Sequence, residues 1–185
     1  MIDRTAIIVV TGAQGAGKST IGPLLAARFA RGAFVEADAL QRMIISGRVW
    51  VTEIADVPSP PIGEALVQLR LRLRNACLVG RSFYEAGFTA VLDDIITGER
   101  FNHLCEDLAG VPFYLVVLAS SVAVVEARDA ARDKTVGGGW AEYLDRDFRA
   151  TMSGRGLWLD TSSQTPDETV DEIIRRVWDE GLVKS

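Results

Sequence analysis

The sequence predicts a doubly wound α/β domain built on about five parallel strands, and three observations carry that expectation. Apolar runs with β-branched character recur at 6–10, 33–36, 88–93, 113–118 and, more briefly, 157–160. Helix-length segments separate them, and the first run opens directly into a glycine-rich turn. Runs such as Ala6-Ile7-Ile8-Val9-Val10 are apolar at every position, the pattern of strands buried on both faces. Strands separated by helices pair in parallel.

The intervening segments read as helices at 18–30, 39–46, 63–86, 99–108, 122–131, 141–151 and 166–180. The last has the clearest start: Thr165 can cap, Pro166 suits the first turn, and Asp167 and Glu168 complement the positive helix end. On 63–86 the apolar stripe is Leu66, Leu69, Leu73, Cys77, Gly80 and Tyr84, flanked by Arg70, Arg74 and Arg81. Two connections break the alternation. Residues 47–62 carry Trp50 and a proline-rich stretch, and residues 132–140 contain Gly137, Gly138 and Gly139 in a row. Such connections on an α/β scaffold suit a substrate-side insertion (47–62) and a lid (128–140).

A chain of 185 residues has room for one domain with its own core, so residues 1–185 are read as a unit. With 48% hydrophobic and 24% charged residues, disordered and low-complexity classes drop out. A net charge of -5 supplies no positive field for phosphate backbones or anionic lipid, which argues against nucleic-acid and membrane partners. Cys77 and Cys105 are too few and too far apart for a disulfide framework or a zinc site, and both read as buried small hydrophobes. No apolar stretch approaches the roughly 20 residues of a membrane-spanning helix, and 6–10 is too short for an export signal. A cytoplasmic home is the expectation.

The first strand leads into Gly12-Ala13-Gln14-Gly15-Ala16-Gly17-Lys18-Ser19, followed by Thr20. This satisfies G-x-x-x-x-G-K-[ST] between a strand and a helix. Glycines let backbone N–H groups converge on an anion, Lys18 adds a point charge toward the outer phosphates, and Ser19 offers a hydroxyl to Mg²⁺. With three lysines in the whole chain, a chance match is rare. The loop predicts nucleoside triphosphate binding.

A guanine-reading N-K-x-D element is missing from the sequence, and the chain is short for a mechanical ATPase, which leaves a small phosphoryl transferase. Such an enzyme needs a base near its acceptor. Asp38, just past the second strand, is the candidate for catalysis and acceptor binding, with a helix cap as its other reading. The third strand closes on Asp93 and Asp94. Asp93 is the first choice for holding Mg²⁺ and Asp94 the second, with a contribution to the acceptor site; a turn pair is the alternative. Arg128 and Arg132 lie four apart on one helix face before the glycine run, placed either to close over triphosphate charge or on a solvated face. Arg70 is the candidate from the basic flank for an acidic acceptor group, and Trp50 for an apolar acceptor wall. Met43 and Ile44 read as core, His103 as surface or packing.

The ordered set GAQGAGKS, FVEAD, the Arg70 helix, TAVLDD, the Arg128 to Arg132 flap and GLWLDTSSQTPDETVDEII resembles the chloramphenicol phosphotransferase-like group of small P-loop kinases over most of the chain. The resemblance implies a P-loop NTPase three-layer sandwich with strand order 2-3-1-4-5, and an ATP- and Mg²⁺-dependent kinase acting on a hydroxyl of a small metabolite or antibiotic. Under it, Asp38 matches the acceptor-activating aspartate, Lys18 and Ser19 the phosphate and metal ligands, and Arg128 and Arg132 the lid arginines. Two alternatives stand beside it: a polynucleotide 5′-kinase-like enzyme, and a non-catalytic nucleotide-binding regulator.

Overall fold

The computed structural model describes residues 1–51, 59–130 and 139–183. Its strands are β1 (Ile7–Gly12), β2 (Gly32–Glu36), β3 (Thr89–Asp93), β4 (Phe113–Leu118), β5 (Leu157–Leu159) and β6 (Leu182–Val183). Its helices are α1 (Lys18–Ala26), α2 (Ala37–Arg42), α3 (Gly63–Glu85), α4 (Glu99–Asp107), α5 (Val122–Ala130), α6 (Trp140–Met152) and α7 (Pro166–Glu180). The sheet runs β2-β3-β1-β4-β5, with those five strands parallel. This is the order expected.

One strand was not anticipated. β6 pairs antiparallel with the start of β4, Phe113 opposite Val183 and Tyr114 opposite Leu182. β5 takes the other half of the same edge, from Val116 to Leu118. Two residues after a helix carry no periodicity of their own, so only the open β4 edge makes them a strand.

Two apolar layers sandwich the sheet because successive side chains in a strand point to opposite faces. Ile7 and Val9 of β1 join Leu73 and Cys77 of α3, Leu104 of α4 and Phe148 of α6 on one side. Ile8 and Val10 join Leu25 of α1 and Ile173 and Val177 of α7 on the other. The α7 start is as read: Thr165 Oγ1 accepts from the Glu168 amide at 3.3 Å, and the Glu168 carboxylate accepts from the Thr165 amide at 2.8 Å.

Several helix ends differ from expectation. α1 stops at Ala26 rather than 30, because Ile2 accepts from the Ala30 amide at 2.9 Å and donates to the Arg28 carbonyl at 2.8 Å, drawing the backbone into a bridge. α2 spans Ala37–Arg42 rather than 39–46, and Met43, expected in the core, is 70% exposed. Leu66 was expected on the core stripe of α3 and is 45% exposed; Ala65, Gln68, Arg72 and Ala76 are buried there instead. Leu69, Leu73, Cys77 and Gly80 are buried as expected, so the buried face is the expected stripe widened to one side, which brings an arginine inside.

Candidate active site at the carboxyl ends of the central strands

β1 ends at Gly12, whose φ of 150 opens the loop toward α1. Gly15 (φ 86) and Gly17 (φ 99) hold backbone conformations that other residues rarely adopt. Gly17 is the N-cap of α1, and no side chain caps that end, so the first-turn N–H groups present a positive helix terminus to an anion. Lys18 Nζ donates to the carbonyls of Gly12 at 2.9 Å and Ala13 at 3.0 Å, keeping the ammonium inside the curl of the loop. A Cβ at Gly15 would come within 2.8 Å of the Val125 carbonyl oxygen. Gly15→Ala is therefore expected to cost roughly 1–3 kcal/mol of stability and to weaken triphosphate binding, read by denaturant unfolding and equilibrium titration.

Asp93 closes β3 in register with Val10 of β1 and Glu36 of β2, so it stands between the ends of both neighbours. Its Oδ1 accepts from the Ala37 amide at 3.3 Å, tying down the start of α2. Burial pushes the Asp93 carboxyl up to about 6, with Lys18 and the Ala37 amide pulling the other way. A carboxyl raised in the folded state binds a proton that the unfolded chain has already released. The metal-free fold therefore loses stability as pH rises from the unfolded value near 3.8 to about 6. Asp93→Asn is expected to stabilise the metal-free protein by roughly 1–3 kcal/mol at about pH 7.5 and to change little at about pH 3.5, checked by denaturant titration at both.

Asp38 sits in the first turn of α2. Glu36 holds the N-cap position without a side-chain cap bond, so Asp38 does not act as the cap. Its Oδ1 instead accepts from Arg72 Nη1 at 2.7 Å, and the side chain remains 54% exposed. Arg72 also donates to Asp94 through Nη2 and to Gln41 Oε1 at 3.3 Å. Arg100 meets the other Asp94 oxygen. Gln41 donates to the Val49 carbonyl at 2.8 Å, while Gln68 accepts from the Val49 amide and donates to the Gly47 carbonyl, both at 2.8 Å. These two glutamines fix the stretch leading to Trp50 against α3.

A cavity of about 530 Å³ joins these groups. Gln14, Gly15, Gly17, Lys18 and Ser19 line its phosphate-loop end, and Asp38, Asp93, Asp94 and Trp50 line it further on. Arg72, Arg100, Leu69, Trp140, Tyr143 and Asp147 complete much of the remaining wall.

The model of a family described as chloramphenicol phosphotransferase-like protein matches residues 5–178. The chain belongs to that family. No curated protein matches this family member. Among solved structures it is similar to a sugar kinase from Janibacter sp. HTCC2649 at 19% identity, over 95% of each chain, with a TM-score of 0.68. It is similar to the APS kinase of Mycobacterium tuberculosis in complex with AMPPNP and APS, at 19% identity over 94% of this chain and 98% of that one, with a TM-score of 0.67. A shikimate kinase from Acinetobacter baumannii in complex with shikimate matches at 18% identity over 95% and 94% of the chains, with a TM-score of 0.65. At such identities these likenesses establish the fold, which is that of the P-loop kinases.

Within this chloramphenicol phosphotransferase-like chain, Lys18, Ser19, Asp38, Trp50, Asp93 and Asp94 come to one cavity. Ala13 and Ala16 lie buried under the loop, and Thr20 is exposed beside it. Of the expected arginines, Arg70 and Arg128 do not line that cavity. Arg70 forms a two-pronged pair with Asp107 of α4, one prong at 2.8 Å, and Arg81 donates to the carbonyls of Asp107 and Ala109 at 3.2 and 2.9 Å. Both basic residues clip α3 to the end of α4, where arginines suit the negative helix terminus. Arg128 donates to Ser120 Oγ at 3.2 Å and the Thr161 carbonyl at 3.1 Å, bracing α5 against the chain after β4 and β5. Arg132, with Gly137 and Gly138, lies outside the described residues. Cys77 is buried, which pushes its thiol up to about 12; Cys105, expected to be buried, is only half-buried.

Arg72, Arg100, Gln41 and Gln68 escaped the sequence reading. Arg72 was findable, since it follows Gln68 by four and Leu69 by three on the buried face of α3.

The donor set fits magnesium and a nucleotide. Among the described residues no three His, Cys, Asp or Glu side chains gather to hold a metal alone. Magnesium in phosphoryl-transfer sites takes one or two protein oxygens and completes its shell with water and phosphate. Ser19, in the first turn of α1, and Asp93, at the end of β3, line the same cavity and carry such oxygens.

Proposed function

We propose that this protein transfers the γ-phosphoryl group of ATP to a hydroxyl of a small molecule. The observation that carries the reading is that Asp38 lines the same cavity as Lys18 and Ser19. The loop amides and Lys18 bind the polyphosphate, and Ser19 and Asp93 are the residues that would hold magnesium. Magnesium, when bound, offsets charge on the phosphate oxygens.

Asp38 receives the acceptor. Its exposed carboxylate accepts a hydrogen bond from the hydroxyl and aims that oxygen at the γ-phosphorus. As the new P–O bond forms, the bond from phosphorus to the bridging oxygen of the leaving ADP breaks, and the hydroxyl proton passes to Asp38 and then to solvent. Arg72 holds Asp38 from behind and keeps one oxygen engaged. Little covalent work falls to the protein, so rate depends on alignment and on charge offset by Lys18. Arg128 is braced on Thr161 and takes no lid role in this reading; of the expected lid at 128–140, residues 131–138 lie outside the described residues.

The test is ADP formation from ATP and Mg²⁺ with a panel of hydroxylated metabolites and antibiotics. Acceptor-dependent ADP with a matching phosphomonoester product supports the reading. Tight triphosphate binding without transfer to any acceptor would favour the regulatory alternative, and steeply salt-dependent oligonucleotide binding the polynucleotide alternative.

A further inference from the structure

Resting on the phosphotransferase reading above, we infer that Gln41 and Gln68 are positioning residues for the transfer step: they hold the acceptor-side chain at 47–49, and Gln41 joins it to Asp38 through Arg72. Residues 48–50 have no regular secondary structure, so something other than a sheet or helix must order the backbone that delivers Trp50 to the cavity. Two buried side chains do so. Gln41, 2% exposed, donates from Nε2 to the Val49 carbonyl, and Gln68, 5% exposed, accepts from the Val49 amide through Oε1. Gln68 Nε2 also donates to the Gly47 carbonyl and to Glu64 Oε1, both at 2.8 Å.

Each amide is oriented by what surrounds it. Arg72 Nη1 can only donate, so the oxygen of Gln41 faces it at 3.3 Å and the nitrogen is left for Val49. The Val49 N–H sets the oxygen of Gln68 in the same way. Sliding the stretch by one residue would take the Val49 carbonyl from Gln41 and the Val49 amide from Gln68 at once, leaving two buried amides short of partners. Apolar packing alone would hold the stretch without fixing its register. These directional bonds fix it, and Trp50 follows Val49 directly.

The link to the chemistry is a shared nitrogen. Arg72 Nη1 serves Gln41 Oε1 and, at 2.7 Å, Asp38 Oδ1. Asp38 and Gln41 lie three apart in α2, on one face of the helix. Asp38 is exposed and Arg72 is buried, so the carboxylate that receives the acceptor is steadied from the interior by a guanidinium that Gln41 helps to aim. One side chain therefore bonds both to the holder of the proposed base and to the backbone before Trp50. Gln68 bonds only to the second of these. Loss of Gln68 loosens acceptor binding, and loss of Gln41 misaligns the base as well.

Gln41→Met and Gln68→Met keep length and bulk while removing the amide. Transfer kinetics with ATP, Mg²⁺ and the panel alcohol that yields the most ADP, together with titration of a non-hydrolysable ATP analogue, separate the two roles. Gln68→Met is expected to raise the acceptor KM about tenfold with kcat within about threefold of wild type, and Gln41→Met to show the same rise and an about tenfold fall in kcat. Affinity for the analogue stays within about twofold in both. Fluorine NMR of protein carrying fluorotryptophan, with Trp50 assigned through Trp50→Phe, is expected to show the Trp50 resonance displaced in both variants. The Trp158 and Trp178 resonances stay in place, a local pattern that general loss of stability would not give. Should either variant not fold, the other decides alone. An unmoved Trp50 resonance, a wild-type acceptor KM in a folded variant, or a loss of analogue affinity equal to the loss for the acceptor overturns the inference. No ADP from any panel member counts against the phosphotransferase reading and removes the positioning role with it, whereas transfer with an unchanged acceptor KM counts against the positioning role alone.

Discussion

Asp38→Asn is expected to retain triphosphate affinity within a few-fold while losing about 10²–10⁴-fold in acceptor phosphorylation, the range associated with removing a positioned acid or base. The separation of effects follows from geometry. Asp38 belongs to the first turn of α2 and is set by Arg72, whereas the triphosphate is gripped by the loop and the start of α1. The amide can still accept from Arg72, so the side chain keeps its place, but it cannot take the acceptor proton. Steady-state transfer assays with a nucleotide titration separate the two quantities. Turnover equal to wild type would remove Asp38 from the chemistry.

Lys18→Ala is expected to lower phosphoryl transfer by about 10²–10³-fold, the cost of removing one pre-placed electrostatic donor, with weaker triphosphate affinity as well. The Gly12 and Ala13 carbonyls hold the ammonium inside the loop, so its charge is in place before nucleotide arrives. Lys18→Arg should not rescue, because a planar fork does not fit a space shaped around a compact ammonium. Normal activity in Lys18→Ala would remove the loop from the reading. In contrast, Arg70→Ala is a change at the α3–α4 clip and not in the cavity.

Two arginines separated by two positions illustrate where legibility stopped. Residues i and i+2 on a helix point about 200° apart, so Arg70 and Arg72 cannot share a face. The sequence reading placed its apolar stripe through Leu66 and assigned Arg70 to the acceptor. The packed helix buries Leu69, Leu73, Cys77 and Gly80 of that stripe and turns Ala65, Gln68 and Arg72 inward beside them, where Arg72 meets Asp38 and Asp94. A buried arginine runs against composition rules, since charged side chains are rarely fully buried unless paired, and its partners lie 34 and 22 positions away. Arg128 is a related case: spacing placed it on a helix face, but its hydrogen-bond partner Thr161 lies just past β5, 33 residues on.

By itself the sequence determined the glycine-rich loop after β1, the alternation of strands and helices and the positions of Asp38 just past β2 and Asp93 at the end of β3. These depend on local backbone preferences and on short-range spacing, which a linear pattern records. Only the tertiary structure decided which guanidinium meets which carboxylate, that Asp94 is enclosed between two arginines, and that Leu182 and Val183 complete an edge. Those outcomes turn on how wide a face of α3 is buried and on strand register, each set by the simultaneous burial of many distant side chains, for which no single stretch of chain carries the information.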